Sequence, residues 1–178
     1  MRRELLQGHD RLLAVLDRAA EESGWSTPPP KGVGRGISVH ESFKGYAAHV
    51  VEASVEDGRP VVRRIVCAID CGLVVNPDQV KLQMQGAANF ARSSALDSEI
   101  TFTNGRVDQS NFHDFPLVRM HEAPTVEVNI VDTGGSMGGI GEVGVPGVAP
   151  ALCAAQYEVS GKRIRAQPVA DPLAKSTT

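Results

Sequence analysis

Residues 45–70 read GYAAHVVEASVEDGRPVVRRIVCAID, and the spacing of their apolar side chains predicts β-strands. Glu56-Asp57-Gly58 supplies a turn in the middle of the segment. The run from Val61 to Asp70 is almost continuously apolar, which is typical of a buried strand. Before the turn, every second residue belongs to one set that would face one side of a sheet: Ala47, His49, Val51, Ala53 and Val55.

A helix is expected to follow these strands from about residue 77. Asn76 can cap it, Pro77 fits its first position, and Gln79 lies where a capping box places its second partner. The predicted apolar stripe contains mostly small residues, which would let the helix backbone pack closely against a neighbour: Val80, Met84, Ala87, Ala88, Ala91 and Ala95.

The rest of the chain mixes both kinds of element. The sequence predicts a hairpin around Asn104-Gly105, a long loop over 109–124 and a strand from Thr125 to Val131. A last helix is expected to begin at Pro146 and to end at Gly161. Because no regular strand–helix–strand order emerges, the predicted fold class is α+β.

Proline and glycine divide the sequence into four predicted parts. Residues 1–24 form an amphipathic helix, with leucines and alanines at helical spacing. Residues 25–36 contain three successive prolines and alternating glycines and are predicted to be a linker that separates this helix from the main body. Residues 37–170 form the main domain, and residues 171–178 form a tail.

Composition excludes several functional classes. The net charge of −3 provides no basic field for nucleic acid, so no nucleic-acid partner is expected. No apolar run approaches the roughly 18 residues of a membrane span. The three cysteines, Cys67, Cys71 and Cys153, form no CxxC pair and are expected to be reduced, partly buried thiols. We therefore expect neither a metal ligand set nor an iron–sulfur cluster on this chain.

Glycines concentrate between residues 134 and 147, where two familiar motifs occur. Gly134 to Gly138 matches the GxSxG nucleophile elbow, but no histidine follows residue 121 to complete a triad. Gly139 to Gly144 matches GxGxxG, but the predicted strand ends several residues earlier and too little chain follows for a dinucleotide fold. Both interpretations are disfavoured.

Glu142 offers a third interpretation of this stretch. It is the only carboxylate between Asp132 and Glu158, and the neighbouring glycines leave room for a ligand to reach it. The helix expected at Pro146 would provide amide donors that favour an ionised carboxylate, as a general base requires. The alternative from the residues alone is an exposed glutamate in a flexible loop.

Four segments, in order, resemble the molybdopterin-binding subunits of the xanthine dehydrogenase/aldehyde oxidase family, in particular its isoquinoline oxidoreductase branch. They are GISVHESF over 36–43, IVCAIDCGLVVNP over 65–77, QSNFHDFP over 109–116, and GGIGE from 138 with VPGVAPA from 145. Lys162 to Arg165 resembles the family's terminal strand. The similarity runs from about Trp25 to Pro168 and implies the C-terminal part of such a subunit, a fragment of its molybdenum-cofactor-binding domain.

The resemblance implies roles for five residues. Glu142 would be the catalytic base, removing a proton at the molybdenum centre while an electrophilic carbon of an N-heterocycle or aldehyde is hydroxylated with oxygen from water. Gln83 would face the pterin, since an amide offers both donors and an acceptor; the alternative is an exposed helix glutamine. Gly86, Gly139 and Gly141 would let the cofactor approach. Departures from the family pattern occur at Gln85-Gly86-Ala87, Ala91 and Gly147.

The same resemblance implies partners that this chain does not contain. They are an upstream molybdopterin-binding polypeptide and a small subunit whose [2Fe-2S] clusters receive the electrons. The cofactor would be molybdopterin in its cytosine dinucleotide form. We expect a cytoplasmic protein, or a periplasmic one if an upstream part carries a leader. The competing hypothesis is a truncated, catalytically inactive remnant, and the chain alone is expected to be inactive under either hypothesis.

Other polar residues are given structural interpretations. His113 and Asp114 are expected to make a loop contact. Asp70 and Cys71 are expected to end a strand and set a turn. His49 is expected to be packed or half-exposed on its strand face.

Overall fold

The computed structural model describes residues 1–169. These residues form four helices and six strands, in the order α1 Arg2–Leu5, α2 Asp10–Glu22, β1 Val33–Ser42, β2 Gly45–Glu56, β3 Arg59–Asp70, α3 Pro77–Leu96, β4 Phe102–Thr103, β5 Arg106–Val107, β6 Thr125–Ile130 and α4 Val148–Ser160. The tail predicted over 171–178 lies outside the described residues.

The main sheet has the strand order β1-β2-β3-β6. The first three strands form an antiparallel meander, and β6 lies parallel to β3. Phe43 and Lys44 both adopt positive φ in the tight turn between β1 and β2, and Asp57-Gly58 do the same between β2 and β3. The turn predicted at residues 56–58 is thus confirmed, and each turn returns the chain directly onto its neighbour.

Helices cover both faces of this sheet. The alternation predicted for residues 47–55 is confirmed, because Ala47, Val51 and Ala53 join the core beneath α3 and α4. The intervening Ala48 and Val50 join a second core beneath α2. β3 is inaccessible to solvent on both faces, from Ile65 to Ile69. The α+β class is confirmed, with helices on either side of one mixed sheet.

Helix α3 begins as the sequence predicts. The Asn76 side chain accepts hydrogen bonds from the Asp78 and Gln79 amides at 3.0 and 3.2 Å, which satisfies two of the free donors at the helix start. The predicted small-residue stripe is buried, together with the following side chains: Arg92, Ser93 and Leu96. This packing holds the helix against β3, β6 and α4.

The linker predicted over 25–36 is shorter than expected, because β1 already begins at Val33. Gly34 and Gly36 lie directly beneath α4, and a Cβ at either position would collide with the main chain of Ala155 or Ala151. These glycines therefore allow the main chain of α4 to pack directly against the main chain of β1, and they do not provide flexibility. The sequence pattern alone does not distinguish glycines that permit close packing from glycines of a flexible linker.

The helix predicted over 1–24 is two helices in the structure. It is divided into α1 and α2 by Gly8, whose φ of +84° interrupts helical geometry. The apolar stripe of α2 packs on β2 and β3 through Val15, Leu16 and Ala19, so α2 is not held apart from the main body. Burying that stripe removes apolar surface from water, which a detached helix could not do. The division of the chain into domains stays a prediction.

The C-terminal elements differ in detail. α4 begins at Val148 with Gly147 as its N-cap, two residues later than predicted, and ends at Gly161 as expected. Residues 162–165 form no regular strand. The hairpin at Asn104-Gly105 is confirmed, although its strands contain two residues each. Among residues 1–169, no helix combines the length and apolar character that a bilayer crossing requires.

We predict that Gly36→Ala lowers the free energy of unfolding by about 1–3 kcal/mol, because the added methyl group forces α4 away from β1. Gly86→Ala is the matched control: Gly86 lies in α3 with open space where a Cβ would be. Alanine should stabilise that helix by roughly 0.5–1 kcal/mol. Urea denaturation of the 178-residue chain measures both, and equal effects of the two substitutions would contradict the close-contact account.

Candidate functional site

The glycine-rich segment, residues 131–147, connects β6 to α4 and is fastened to three elements. The Val131 amide donates to the Ile69 carbonyl at 2.8 Å, and the Gly138 amide donates to the Cys71 carbonyl at 2.9 Å. The Gly139 amide donates to the Phe43 carbonyl at 2.8 Å. The segment therefore lies across the ends of β1, β2 and β3, held by its own main chain.

Several glycines in this segment are required by close packing. A Cβ at Gly138 would collide with the Lys44 carbonyl, and one at Gly139 would lie 2.9 Å from the Phe43 Cβ. Gly144 packs against Ala87 in the same manner. The sequence assigned Gly139 to cofactor approach, but the structure gives its missing side chain a packing reason at the β1–β2 turn.

Glu142 has an exposed side chain on a firmly held main chain. Gln83 Nε2 donates to the Gly141 carbonyl at 2.7 Å. His40 Nε2 lies 2.9 Å from the Val143 carbonyl and must donate to it, since a carbonyl only accepts. The peptide group that precedes Glu142 is thus bound by a side chain of α3, and the Val143–Gly144 peptide group is bound by a side chain of β1. The peptide group between them is held by the Val145 amide, which donates to the Glu142 carbonyl at 2.9 Å. The start of α4 lies six residues away in sequence, further than the sequence analysis expected.

Open space adjoins this carboxylate. Gly86 and Gly141 would each meet no heavy atom within 4 Å if they carried a Cβ. Gly86 lies one helical turn beyond Gln83, the residue that contacts the Gly141 carbonyl. The structure therefore brings four of the five predicted site residues, Gln83, Gly86, Gly141 and Glu142, to one exposed region, whereas Gly139 faces Phe43.

A stacked histidine pair supports the same segment from beneath. The rings of His40 and His49 lie 5.8 Å apart at an interplanar angle of 14°. His49 is fully buried, and its ring abuts Gly147. Gly144 lies near it, but neither ring nitrogen makes a hydrogen bond of normal geometry. Burial, with a smaller contribution from a charge on His40, lowers the pKa of His49 to about 3, and burial also lowers the pKa of His40. Both rings are therefore neutral near pH 7.

Asp70 anchors the opposite end of the segment. Arg11 of α2 binds its two carboxylate oxygens at 2.7 and 2.8 Å, Thr133 donates to it at 2.5 Å, and Gly72 donates at 2.9 Å. Burial would raise the pKa of Asp70, but these hydrogen bonds outweigh it and hold the pKa below its ordinary value. Arg11 also donates to the Ser136 carbonyl. The turn role predicted for Asp70 is confirmed, and the ion pair is an addition to it.

The loop over 109–124 contributes structural contacts. Asp114 accepts hydrogen bonds from the Ser110 and Asn111 amides, which lower its pKa to about 2. His113 lies 3.6 Å from Asp114 and is largely exposed. These contacts agree with the loop role expected of the pair.

A cavity of about 730 Å3 lies beside the start of α3, away from Glu142. Its lining comes from the turn after β3, from β6 and from the beginning of the glycine-rich segment, and includes Gly72, Val74, Lys81, Asn129, Asp132 and Gly135. The described residues contain no cluster of three or more histidine, cysteine or acidic side chains able to hold a metal ion.

Two residues of this region, His40 and Arg11, carry no local signal in the sequence. His40 lies inside the segment 36–43 that carries part of the family resemblance, but nothing in that string marks it as a donor to a distant loop. Arg11 lies on the predicted N-terminal helix, and only the fold brings it to Asp70, 59 positions away.

Comparison with known proteins gives a consistent result. A family model described as the molybdopterin cofactor-binding domain matches residues 15–124. The isoquinoline 1-oxidoreductase subunit beta of Brevundimonas diminuta is 33% identical over 168 residues, covering 91% of this chain and 21% of that protein. A membrane-bound aldehyde dehydrogenase [pyrroloquinoline-quinone] of Gluconacetobacter polyoxogenes is 27% identical, covering 89% of this chain and 22% of that protein.

Solved structures agree at the level of the fold. Quinoline 2-oxidoreductase from Pseudomonas putida 86 superposes with a TM-score of 0.68 at 19% identity, covering 74% of this chain and 18% of that one. The chain thus spans about a fifth of the length of the relatives it matches.

We predict that His49 makes the folded chain sensitive to acid. Its pKa is lowered in the folded state, whereas in the unfolded chain it takes its ordinary value near 6.5. Above about pH 6.5, His49 is neutral in both states and does not oppose folding. As the pH falls from there towards about 3, the unfolded chain binds a proton at His49 that the folded chain does not bind, so the free energy of unfolding decreases.

His49→Leu should reduce the loss of unfolding free energy between pH 6.5 and 4, because leucine does not titrate. Val50→Ala, at a buried residue that does not titrate, is the control and should lower the stability without changing its pH dependence. Urea denaturation at a series of pH values measures both. An unchanged slope in His49→Leu would refute this source of acid sensitivity.

Proposed function

The chain belongs to the molybdopterin cofactor-binding domain family of xanthine dehydrogenase/aldehyde oxidase-type enzymes, and on that premise we propose that it is the part of a molybdenum hydroxylase that carries the catalytic base. The observation that carries the proposal is Glu142: an exposed carboxylate whose two neighbouring peptide groups are bound by Gln83 and by the Val145 amide, beside glycines with open space where a Cβ would be. A general base needs both features, since it must reach a substrate and keep its direction.

The residues around Glu142 fit a pterin cofactor. Gly86 and Gly141 have open space where a side chain would be, and Gln83, three residues before Gly86 on α3, binds the Gly141 carbonyl. Gln83 donates one amide hydrogen to the Gly141 carbonyl. The side-chain carbonyl oxygen of Gln83 is therefore the group that would accept a hydrogen bond from the edge of a pterin. When bound, the molybdenum cofactor would supply a Lewis-acidic metal and a two-electron acceptor.

In this proposal the chain's own residues hold and move a proton. Glu142 accepts it as an electrophilic carbon is hydroxylated, with water as the source of oxygen. Gln83 orients the pterin, and the open space at Gly86 and Gly141 admits it. Gly139 acts indirectly, by letting the segment pack onto the β1–β2 turn. Proton removal by a positioned base contributes roughly a hundred- to ten-thousandfold to rate.

Substrate class and partners follow from the relatives and are part of the proposal. The names of the two similar proteins contain an N-heterocycle and an aldehyde, so the proposed substrate is one of these two classes. An upstream molybdopterin-binding polypeptide completes the site, and a small [2Fe-2S] subunit accepts the electrons. The cofactor is proposed to be the cytosine dinucleotide form, and the location cytoplasmic. The alternative is a truncated, inactive remnant of such a subunit.

We predict that the 178-residue chain expressed alone contains no molybdenum and that co-expression with the proteins encoded beside it yields a molybdenum-containing complex. Elemental analysis and heterocycle- or aldehyde-dependent dye reduction measure this. A complex without molybdenum supports the remnant. The metal measurement also separates this proposal from a quinone cofactor, which the name of the Gluconacetobacter relative contains.

In an active complex, Glu142→Gln should lower kcat at least about a hundredfold, because the amide cannot accept the proton. The molybdenum content should be unchanged, since the substitution preserves size. Glu99→Gln, at an exposed glutamate outside the site, is the matched control and should retain activity. Turnover by Glu142→Gln near the rate of the unsubstituted complex would show that another group is the base.

A further inference from the structure

We infer that His40 is a positioning residue that, together with Gln83, fixes the direction of the Glu142 side chain. This inference deepens the proposed function and rests on it for the role of Glu142. Its observation is independent of the cofactor: the carbonyls of the two residues next to Glu142 in sequence are bound by side chains of two different elements, Gly141 by Gln83 of α3 at 2.7 Å and Val143 by His40 of β1 at 2.9 Å.

Three successive carbonyl groups in this segment are hydrogen-bonded. Between the two side-chain contacts, the Glu142 carbonyl accepts from the Val145 amide at 2.9 Å, closing a turn. Gln83 holds the peptide plane before Glu142 and the Val145 amide holds the plane after it, so φ and ψ of Glu142 cannot change freely and the bond from Cα to Cβ keeps one direction. His40 binds the next peptide plane, inside the turn that the Val145 amide closes, and acts on Glu142 through that turn. Glycine at 141 would otherwise allow many directions. The exposed carboxylate is thereby aimed without a hydrogen bond or ion pair to the described residues.

The environment of His40 suits this task. The ring is stacked on His49, and His49 is in turn pressed against Gly147 at the end of the same segment. Ser38, two residues before His40 on β1, donates to the Gly147 carbonyl at 2.6 Å. One face of β1 and β2 thus holds the segment at two points, on both sides of the Val145 turn.

The hydrogen-bond donors are also neutral. The Gln83 amide carries no charge, and the His40 ring, with its Nδ1 buried and without a hydrogen-bond partner in the described residues, resists protonation. A lysine or arginine at either place could bind the same carbonyl but would bring a fixed cation towards the base. Gln83 and His40 instead bind main-chain carbonyls, and the Glu142 carboxylate stays available to the substrate.

The test uses a matched series at position 40. His40→Leu removes the donor, and His40→Gln replaces it, because the glutamine Nε2 extends about as far as the imidazole Nε2. The first measurement is hydrogen exchange of the Val145 amide in the 178-residue chain, with the Val66 amide of β3 as a reference for global unfolding. We expect His40→Leu to accelerate Val145 exchange about tenfold or more and His40→Gln to restore it to within about threefold.

The second measurement is turnover of the co-expressed complex. His40→Leu should lower kcat by about tenfold or more with KM and molybdenum content little changed, and His40→Gln should recover most of kcat. A purely structural role would give equal loss in both variants and parallel acceleration of Val66 exchange. If His40→Leu does not fold, His40→Asn replaces it, since its shorter amide does not reach Val143.

The outcomes separate the two proposals. Unchanged Val145 exchange in His40→Leu, or no rescue by glutamine, overturns the positioning role whatever the complex does. Restored exchange with an unsubstituted complex that shows no turnover overturns the proposed function and leaves the contact between His40 and Val143 as a feature of the fold. Normal kcat in His40→Leu, with faster Val145 exchange, shows that aiming Glu142 does not limit catalysis and also overturns the inference.

Discussion

The buried carboxylate of Asp70 binds α2, the turn before α3 and the glycine-rich segment at one point. It lies at the end of β3, where Arg11 reaches it from α2 with two hydrogen bonds of 2.7 and 2.8 Å. The same carboxylate accepts from Thr133 at the start of the glycine-rich segment and from Gly72 in the turn before α3. An unpaired charge in this position would be strongly destabilising. Asp70 therefore requires α2, the turn and the segment to be in place together.

Beyond Asp70, hydrogen bonds hold the glycine-rich segment along its length as far as the start of α4. Its amides bind the ends of β3 and β1, Gln83 and His40 bind the peptides around Glu142, and Ser38 binds Gly147. These contacts are hydrogen bonds of main-chain amides and of polar side chains. A segment with so many glycines would lose much conformational entropy on ordering, and the hydrogen bonds offset that loss where the site needs a fixed main chain.

Glycine has two opposite uses in this chain. Gly34, Gly36 and Gly138 lie where another backbone approaches too closely for any Cβ, whereas Gly86 and Gly141 border empty space. The first use builds the fold, and the second leaves open space in the exposed region around Glu142. Under the proposed function, this open space is the approach for a pterin.

Local rules in the sequence determined the strands of residues 45–70, the Asn76 cap, the turn at Asn104-Gly105 and the end of α4 at Gly161, because alternation, capping and tight turns depend on residues only a few positions apart. The string around Glu142 also identified the family. Tertiary structure alone decided that Gly34 and Gly36 belong to a strand beneath α4, that α2 lies on the sheet, and that Arg11 and His40 reach Asp70 and Val143. Those contacts join residues 59 and 103 positions apart, and a pairing at that distance has no local pattern, since it arises only when the whole sheet has brought its ends together.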